Sequence, residues 1–190
     1  MQPIYTLEYT DLPDFLSEKQ IAEHMKLYTN YYNQTNDLPA KINGLGTSNP
    51  AGIRGQQKTL QYALAGRDLH ELYFGGMTAS VTSLSDIPDT LKAHIEKCFG
   101  SVEAWAADFT ACAMAARGWA ILELDPRNDV LYNVVADFHD EGGTIGFKPV
   151  LVLDMYEHAY FFDYQTNKKD YIAKWWSHVN WGVVASRLSL

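Results

Sequence analysis

Between Ser17 and Asn36 the chain reads SEKQIAEHMKLYTNYYNQTN, with Ile21, His24, Met25, Tyr28 and Tyr32 spaced by three and four. That spacing predicts one face of a helix, and Ser17 with Gln20 forms a capping-box pattern at its start. Residues 37-DLPAKINGLGTSNPAG-52 are rich in Gly, Pro, Asn and Ser and predict a loop. A second helix is expected from Ile53 to Met77, so the first 80 residues predict an antiparallel helical hairpin. The polar stretch 78-TASVTSLSDIP-88 marks a candidate boundary between domains 1–80 and 81–190. Residues 89–115 predict two more helices broken near Gly100, with Ser101 as N-cap. The period then changes: 119-WAILELD-125 alternates, 126-PRND-129 turns, and 130-VLYNVVAD-137 follows. After the Gly-rich 142-GGTIG-146, the apolar run 149-PVLVLDM-155 predicts a buried strand. Three strands in meander order predict an antiparallel sheet, and 170–188 closes the chain as one or two helices. The expected class is α+β: a helical hairpin, then a three-stranded antiparallel sheet surrounded by helices.

Composition narrows what this fold does. The apolar fraction is 47% and the charged fraction 20%, as in ordinary globular proteins. No run of about 18 apolar residues predicts a membrane span, and the start lacks the pattern of a signal peptide. Cys98 and Cys112 predict small buried residues of a reduced, cytoplasmic chain. The net charge of −8, from 15 basic and 23 acidic residues, argues against a nucleic-acid surface, which needs a basic stripe.

Three of six histidines and one carboxylate stand out. His24 and His70 lie mid-helix on apolar faces of the two hairpin arms, where an imidazole is costly unless its nitrogens are engaged. Taken alone, each reads more readily as a structural histidine than as a ligand. Asp154 ends a buried strand, and His158 follows by four, so a turn sets both on one side. Together they make a His3Asp donor set between the two halves. Imidazole and carboxylate without thiolate suit Fe, Mn or Zn. His94 predicts a surface residue and His178 a packing or surface one.

At these residues the chain resembles the iron/manganese superoxide dismutases. The segment 154-DMYEHAYFFDY-164 is similar to the DxWEHAYYxxY signature of that family, and 117-RGWAILELD-125 to its xGWxWLxxx strand. The segments 99-FGSVEAWAADFTACAM-114, 24-HMKLYTNYYNQTN-36, 70-HELYFGG-76 and 170-DYIAKWWSHVNW-181 resemble its other helices, in the same order.

The resemblance implies disproportionation of superoxide to dioxygen and hydrogen peroxide, an antioxidant activity. It implies one Fe or Mn per subunit, cycling between +3 and +2 on His24, His70, Asp154 and His158. It further implies Tyr32 as the gateway tyrosine, His139 in the place of the glutamine or histidine beside the metal solvent, and Trp119 as a site tryptophan. It implies a homodimer or tetramer in which Glu157 reaches the ligand His158 of another subunit. The gateway histidine and Val152 lean towards iron or dual-metal use, and Lys168 stands near the family's funnel arginine. Departures are Tyr156 and Phe74 in place of tryptophans, Met25 and Tyr28 in place of histidines, and Phe161 in place of a tyrosine. The alternatives carried are a non-redox zinc hydrolase on the same residues and an inactive metal-binding relative.

Overall fold

The computed structural model describes residues 4–141 and 143–189; Gly142 of the expected Gly-rich turn lies outside them. Two long helices form the N-terminal hairpin, α1 (Glu18–Gly44) and α2 (Pro50–Gly75). Ser17 caps α1 by accepting from the Gln20 backbone N–H at 3.2 Å. The reciprocal half of the expected box is absent among the described groups. The Gln20 amide instead donates to His158 O at 2.6 Å and accepts from Phe162 N at 3.0 Å. Asp163 takes its place, receiving both the Ser17 N–H and hydroxyl at 2.7 Å.

The expected loop at 37–52 is a correction: α1 runs eight residues past Asn36, through Pro39. Proline removes one N–H from the helix ladder, but Thr35 and Leu38 are buried and keep the helix packed across it. The connection shrinks to 45–49, where Asn49 caps α2 by accepting from Gly52 N, with Pro50 in its first turn.

Helices α3 (Asp89–Phe99) and α4 (Val102–Ala115) are separated by Gly100 at φ +85°, and the Ser101 side chain caps α4 as expected. The sheet follows as β1 (Trp119–Asp125), β2 (Val130–Ala136) and β3 (Lys148–Asp154). It is antiparallel, but its order is β2-β1-β3, so the meander expectation is corrected. The alternation read in β1 is corrected too, since all seven of its residues are buried. A strand with a neighbour on each side and cover on both faces has no solvent face to mark. The chain closes with α5 (Phe161–Tyr164), α6 (Lys168–Trp175) and α7 (Trp181–Ser186). Phe109, Trp105, Trp175, Trp176 and Trp181 form an aromatic stack between α4 and these closing helices.

The segment after α2 is stitched to the C-terminal region: Thr78 N donates to His178 O, and His178 Nδ1 donates back to Thr78 O. His178 is buried and stacks on Phe15 at 5.3 Å. His94 reaches the β1–β2 turn, bonding Asp129 at 2.7 Å. Both cysteines are free.

Sheet register decides where the chemistry sits. Trp119, the first residue of β1, pairs with Ala136, the last of β2, and with Asp154, the last of β3. One end of the sheet therefore gathers Trp119, Asp154 and the segment carrying His139. The hairpin covers that end with the faces of α1 and α2 that bear His24 and His70.

Candidate metal centre

His24, His70, Asp154 and His158 converge: one potential donor atom from each lies within 4.8 Å of all the others. Asp154 Oδ2 is the hub, 3.1 Å from His24 Nε2, 3.2 Å from His158 Nε2 and 3.7 Å from His70 Nε2. His24 and His70 meet edge to face at 5.0 Å. Only His158 keeps noticeable exposure, with 27% of its side chain accessible.

Each side chain is held from behind. His70 Nδ1 donates to Gly66 O, one turn earlier in α2, at 2.5 Å. That fixes its tautomer and leaves the Nε2 lone pair facing the cluster. Asp154 Oδ1 accepts from Tyr156 N at 2.9 Å, and its backbone carbonyl accepts from Tyr171 at 2.8 Å. The Tyr171 hydroxyl, having donated there, accepts from Tyr73 at 2.9 Å. Gln20 holds the turn that presents His158.

Electrostatics point the same way. Burial, then the other imidazoles, pushes His70 down to about 3; burial lowers His24 too. Burial alone would raise Asp154, but the imidazoles of His158 and His24 reverse this and hold it ionised below the carboxylate range. Neutral His24 and His70 beside an ionised Asp154 are the protonation states that a metal requires. Donors about 2.1 Å from a shared ion stand roughly 3–4 Å apart, which the three separations from Asp154 match. His70 Nε2 is also buried without a hydrogen-bond partner, a costly state that a cation at the cluster relieves. The four residues fit a mononuclear ion.

His139 lies against the cluster, buried, with its ring 5.6 Å from that of His70. The indole N–H of Trp119 can only donate, so His139 Nδ1 accepts it at 2.9 Å. The proton then sits on Nε2, which donates to the hydroxyl of Tyr31 at 3.0 Å. Burial lowers His139 to about 4, keeping it neutral. Tyr31 had no role in the sequence reading; Tyr32 did. Tyr31 meets His139 and Tyr62 edge to face and His70 at a tilt, whereas Tyr32 packs beside Tyr28 at 6.5 Å. A signal for Tyr31 existed: seven residues fall about 20° short of two helical turns, and eight overshoot by about 80°. Tyr31 thus shares the direction of His24 more closely.

A cleft of about 480 Å³ opens beside His158, lined by Arg117, Tyr156, Glu157, Tyr160 and Lys168 among others. Tyr156 fills the departure from the family signature, stacking on His158 at 5.2 Å and donating to Asp137 O at 3.1 Å. Lys168 donates to the Met114 and Ala116 carbonyls at the end of α4, and burial lowers its pKa. Arg117 is 84% exposed at the same mouth.

Comparison with known proteins supplies the family. The C-terminal domain of iron/manganese superoxide dismutases matches residues 87–187. A Haloferax volcanii protein named superoxide dismutase, with manganese as its metal, is 32% identical over 185 residues, covering 95% of this chain and 90% of its own length. A Methanothermobacter thermautotrophicus protein named for iron is 31% identical, over 94% of this chain and 89% of its own. An Aquifex pyrophilus protein, also named for iron, is 32% identical, over 96% of this chain and 76% of its own.

Proposed function

This chain belongs to the iron/manganese superoxide dismutase family, and from that premise we propose that it converts two superoxide anions and two protons to dioxygen and hydrogen peroxide. The observation that carries the reading is the convergence of three imidazoles on the Asp154 carboxylate. His24, His70, Asp154 and His158 hold the ion. Fe or Mn, when bound, supplies the one-electron couple between +3 and +2. The ionised Asp154 lowers the net charge of the donor set and orients His24 and His158. His139, fixed as the Nε2–H tautomer by Trp119, holds a proton at the inner end of the approach. Its bond to Tyr31 supports Tyr31 in the gateway place that the resemblance implies for Tyr32. Tyr31 carries its proton at neutral pH, because burial raises it far above that range.

Two further parts belong to the proposal. The assembly is a homodimer or tetramer, with the exposed Glu157 of one copy meeting the partner's His158, the most accessible of the four donors. The setting is cytoplasmic and the role antioxidant, which two free cysteines suit. No helix among the described residues is long and apolar enough to cross a membrane. The acidic balance supports no nucleic-acid partner. The zinc hydrolase and the inactive relative are not favoured, since the relatives are named superoxide dismutases.

The test is elemental analysis of protein expressed with excess Fe or excess Mn, each assayed for superoxide scavenging. Stoichiometric zinc without scavenging would refute the dismutase reading. In His70→Ala, metal content falls about tenfold or more and scavenging goes with it. Full activity in that variant would sink the ligand assignment.

A further inference from the structure

His139 poses a positioning problem. Strand β2 stops at Ala136, and the next pairing among described residues is the single Phe138–Glu141 bridge. Its own loop therefore does little to hold a ring that must be placed accurately against Trp119 and Tyr31. The support comes from α2, where Lys58, Tyr62, Gly66 and His70 recur at every fourth position. Residues at that spacing form one slanted ridge on a helix.

Each member above His70 meets the same loop. Lys58 Nζ pairs with Asp140 Oδ2 at 2.9 Å, and the Asp140 side chain is only 8% exposed. The Tyr62 ring lies 4.5 Å from the His139 ring and 6.0 Å from that of Tyr31. A Cβ on Gly66 would stand 3.1 Å from His139 Cδ2 and 3.1 Å from the Tyr31 ring, so the missing side chain is what lets both approach the helix. The Gly66 carbonyl, in turn, orients His70. The Tyr156 ring also closes on His139, at 5.1 Å. The Tyr62 hydroxyl also acts on those of Tyr31 and Tyr156, helping burial to raise both.

We propose that the Lys58–Tyr62–Gly66 ridge of α2 is a positioning track that docks the 138–141 segment and sets His139, and through it Tyr31, relative to the donor cluster. The proposal rests on the reading of His139 as a residue of the dismutase site. Lys58 and Tyr62 touch no donor; they act through Asp140 and His139. An ion pair with one buried end and an aromatic contact are each enough to change local opening severalfold.

The test compares Lys58→Met, Tyr62→Leu, Tyr62→Phe and the exchanged pair Lys58→Asp with Asp140→Lys. Amide hydrogen exchange is read on metal-free protein, and the midpoint reduction potential on loaded protein. Lys58→Met and Tyr62→Leu are expected to speed exchange at 138–141 by about fivefold to tenfold, leave β1 unchanged and move the potential in one common direction. Tyr62→Phe, which keeps the ring, and the exchanged pair are expected to restore both readouts towards the parent. Unchanged exchange in both Lys58→Met and Tyr62→Leu overturns the track. Faster exchange with an unmoved potential overturns the positioning role and leaves loop stability alone. Parent protein that holds neither Fe nor Mn and scavenges nothing refutes the dismutase reading instead, while the metal-free comparison still decides the docking.

Discussion

At the residue scale, two tyrosines adjacent in sequence divide sharply in space. Tyr31 bonds His139 and faces His70, and Tyr32 turns towards Tyr28. Tyr31→Phe should lower kcat about tenfold or more, as loss of a positioned proton donor does. Tyr32→Phe should stay within about twofold of the parent; the reverse ranking in steady-state assays would return the gateway to Tyr32. Glu123 carries a second residue-scale prediction. It is buried in the middle of β1, and its carboxylate accepts the Thr144 N–H at 3.2 Å. Burial raises its pKa above the ordinary 4.5. The folded state then binds the extra proton, so this stability is present below pH 4.5 and is lost as pH rises through the folded value. Glu123→Gln keeps the shape and removes the charge. It should stabilise the protein at pH 7 by an amount of order 1 kcal/mol and flatten the pH dependence of Tm. A lower Tm at pH 7 would contradict this.

At the element scale, periodicity located the long helices and the three strands, missed the short α5, and misjudged how some elements ended and were ordered. The faces of α1 and α2, the Ser101 cap and the three strands were readable because local chemistry specifies them. Pro39 was not, since a loop composition signal is outweighed by burial of Thr35 and Leu38 on the continuing helix. The order β2-β1-β3 was not readable either, because adjacency of consecutive strands is only a tendency and the crossover depends on which strand needs two neighbours. Arg187 shows what then locks the elements. Its guanidinium is buried and donates to Leu72 O at 2.8 Å, near the end of α2, and to Val150 O at 3.0 Å, in β3. Burial lowers its pKa to about 10, so it stays charged beside carbonyls at a helix C-terminus. Arg187→Ala removes both bonds, with Leu72 O keeping only the Gly76 N–H at 3.0 Å, and should cost about 2–4 kcal/mol in denaturant unfolding. A change below about 0.5 kcal/mol would show that other groups satisfy them.

At the scale of the whole molecule, a chain of net charge −8 attracts an anionic substrate only through local fields. Arg117 and Lys168 stand at the cleft beside His158. Lys168 is committed to the end of α4, which leaves Arg117 the freer cation despite its loose pairing with Asp137 at 3.8 Å. Arg117→Glu should lower kcat/KM severalfold at low ionic strength, and the deficit should fade near 0.5 M salt, where the screening length is only about 4–5 Å. A deficit independent of salt would point to a steric cause. The donor types, their helix and strand addresses and the family were all legible in one dimension, because residue identity and short-range spacing are local properties. Which tyrosine meets His139, that Gln20 grips the turn of His158, and that an α2 ridge touches the His139 loop were settled only on folding. Those contacts join residues 138 apart in the case of Gln20 and His158. They depend on sheet register and helix phase, which no single stretch of the chain specifies.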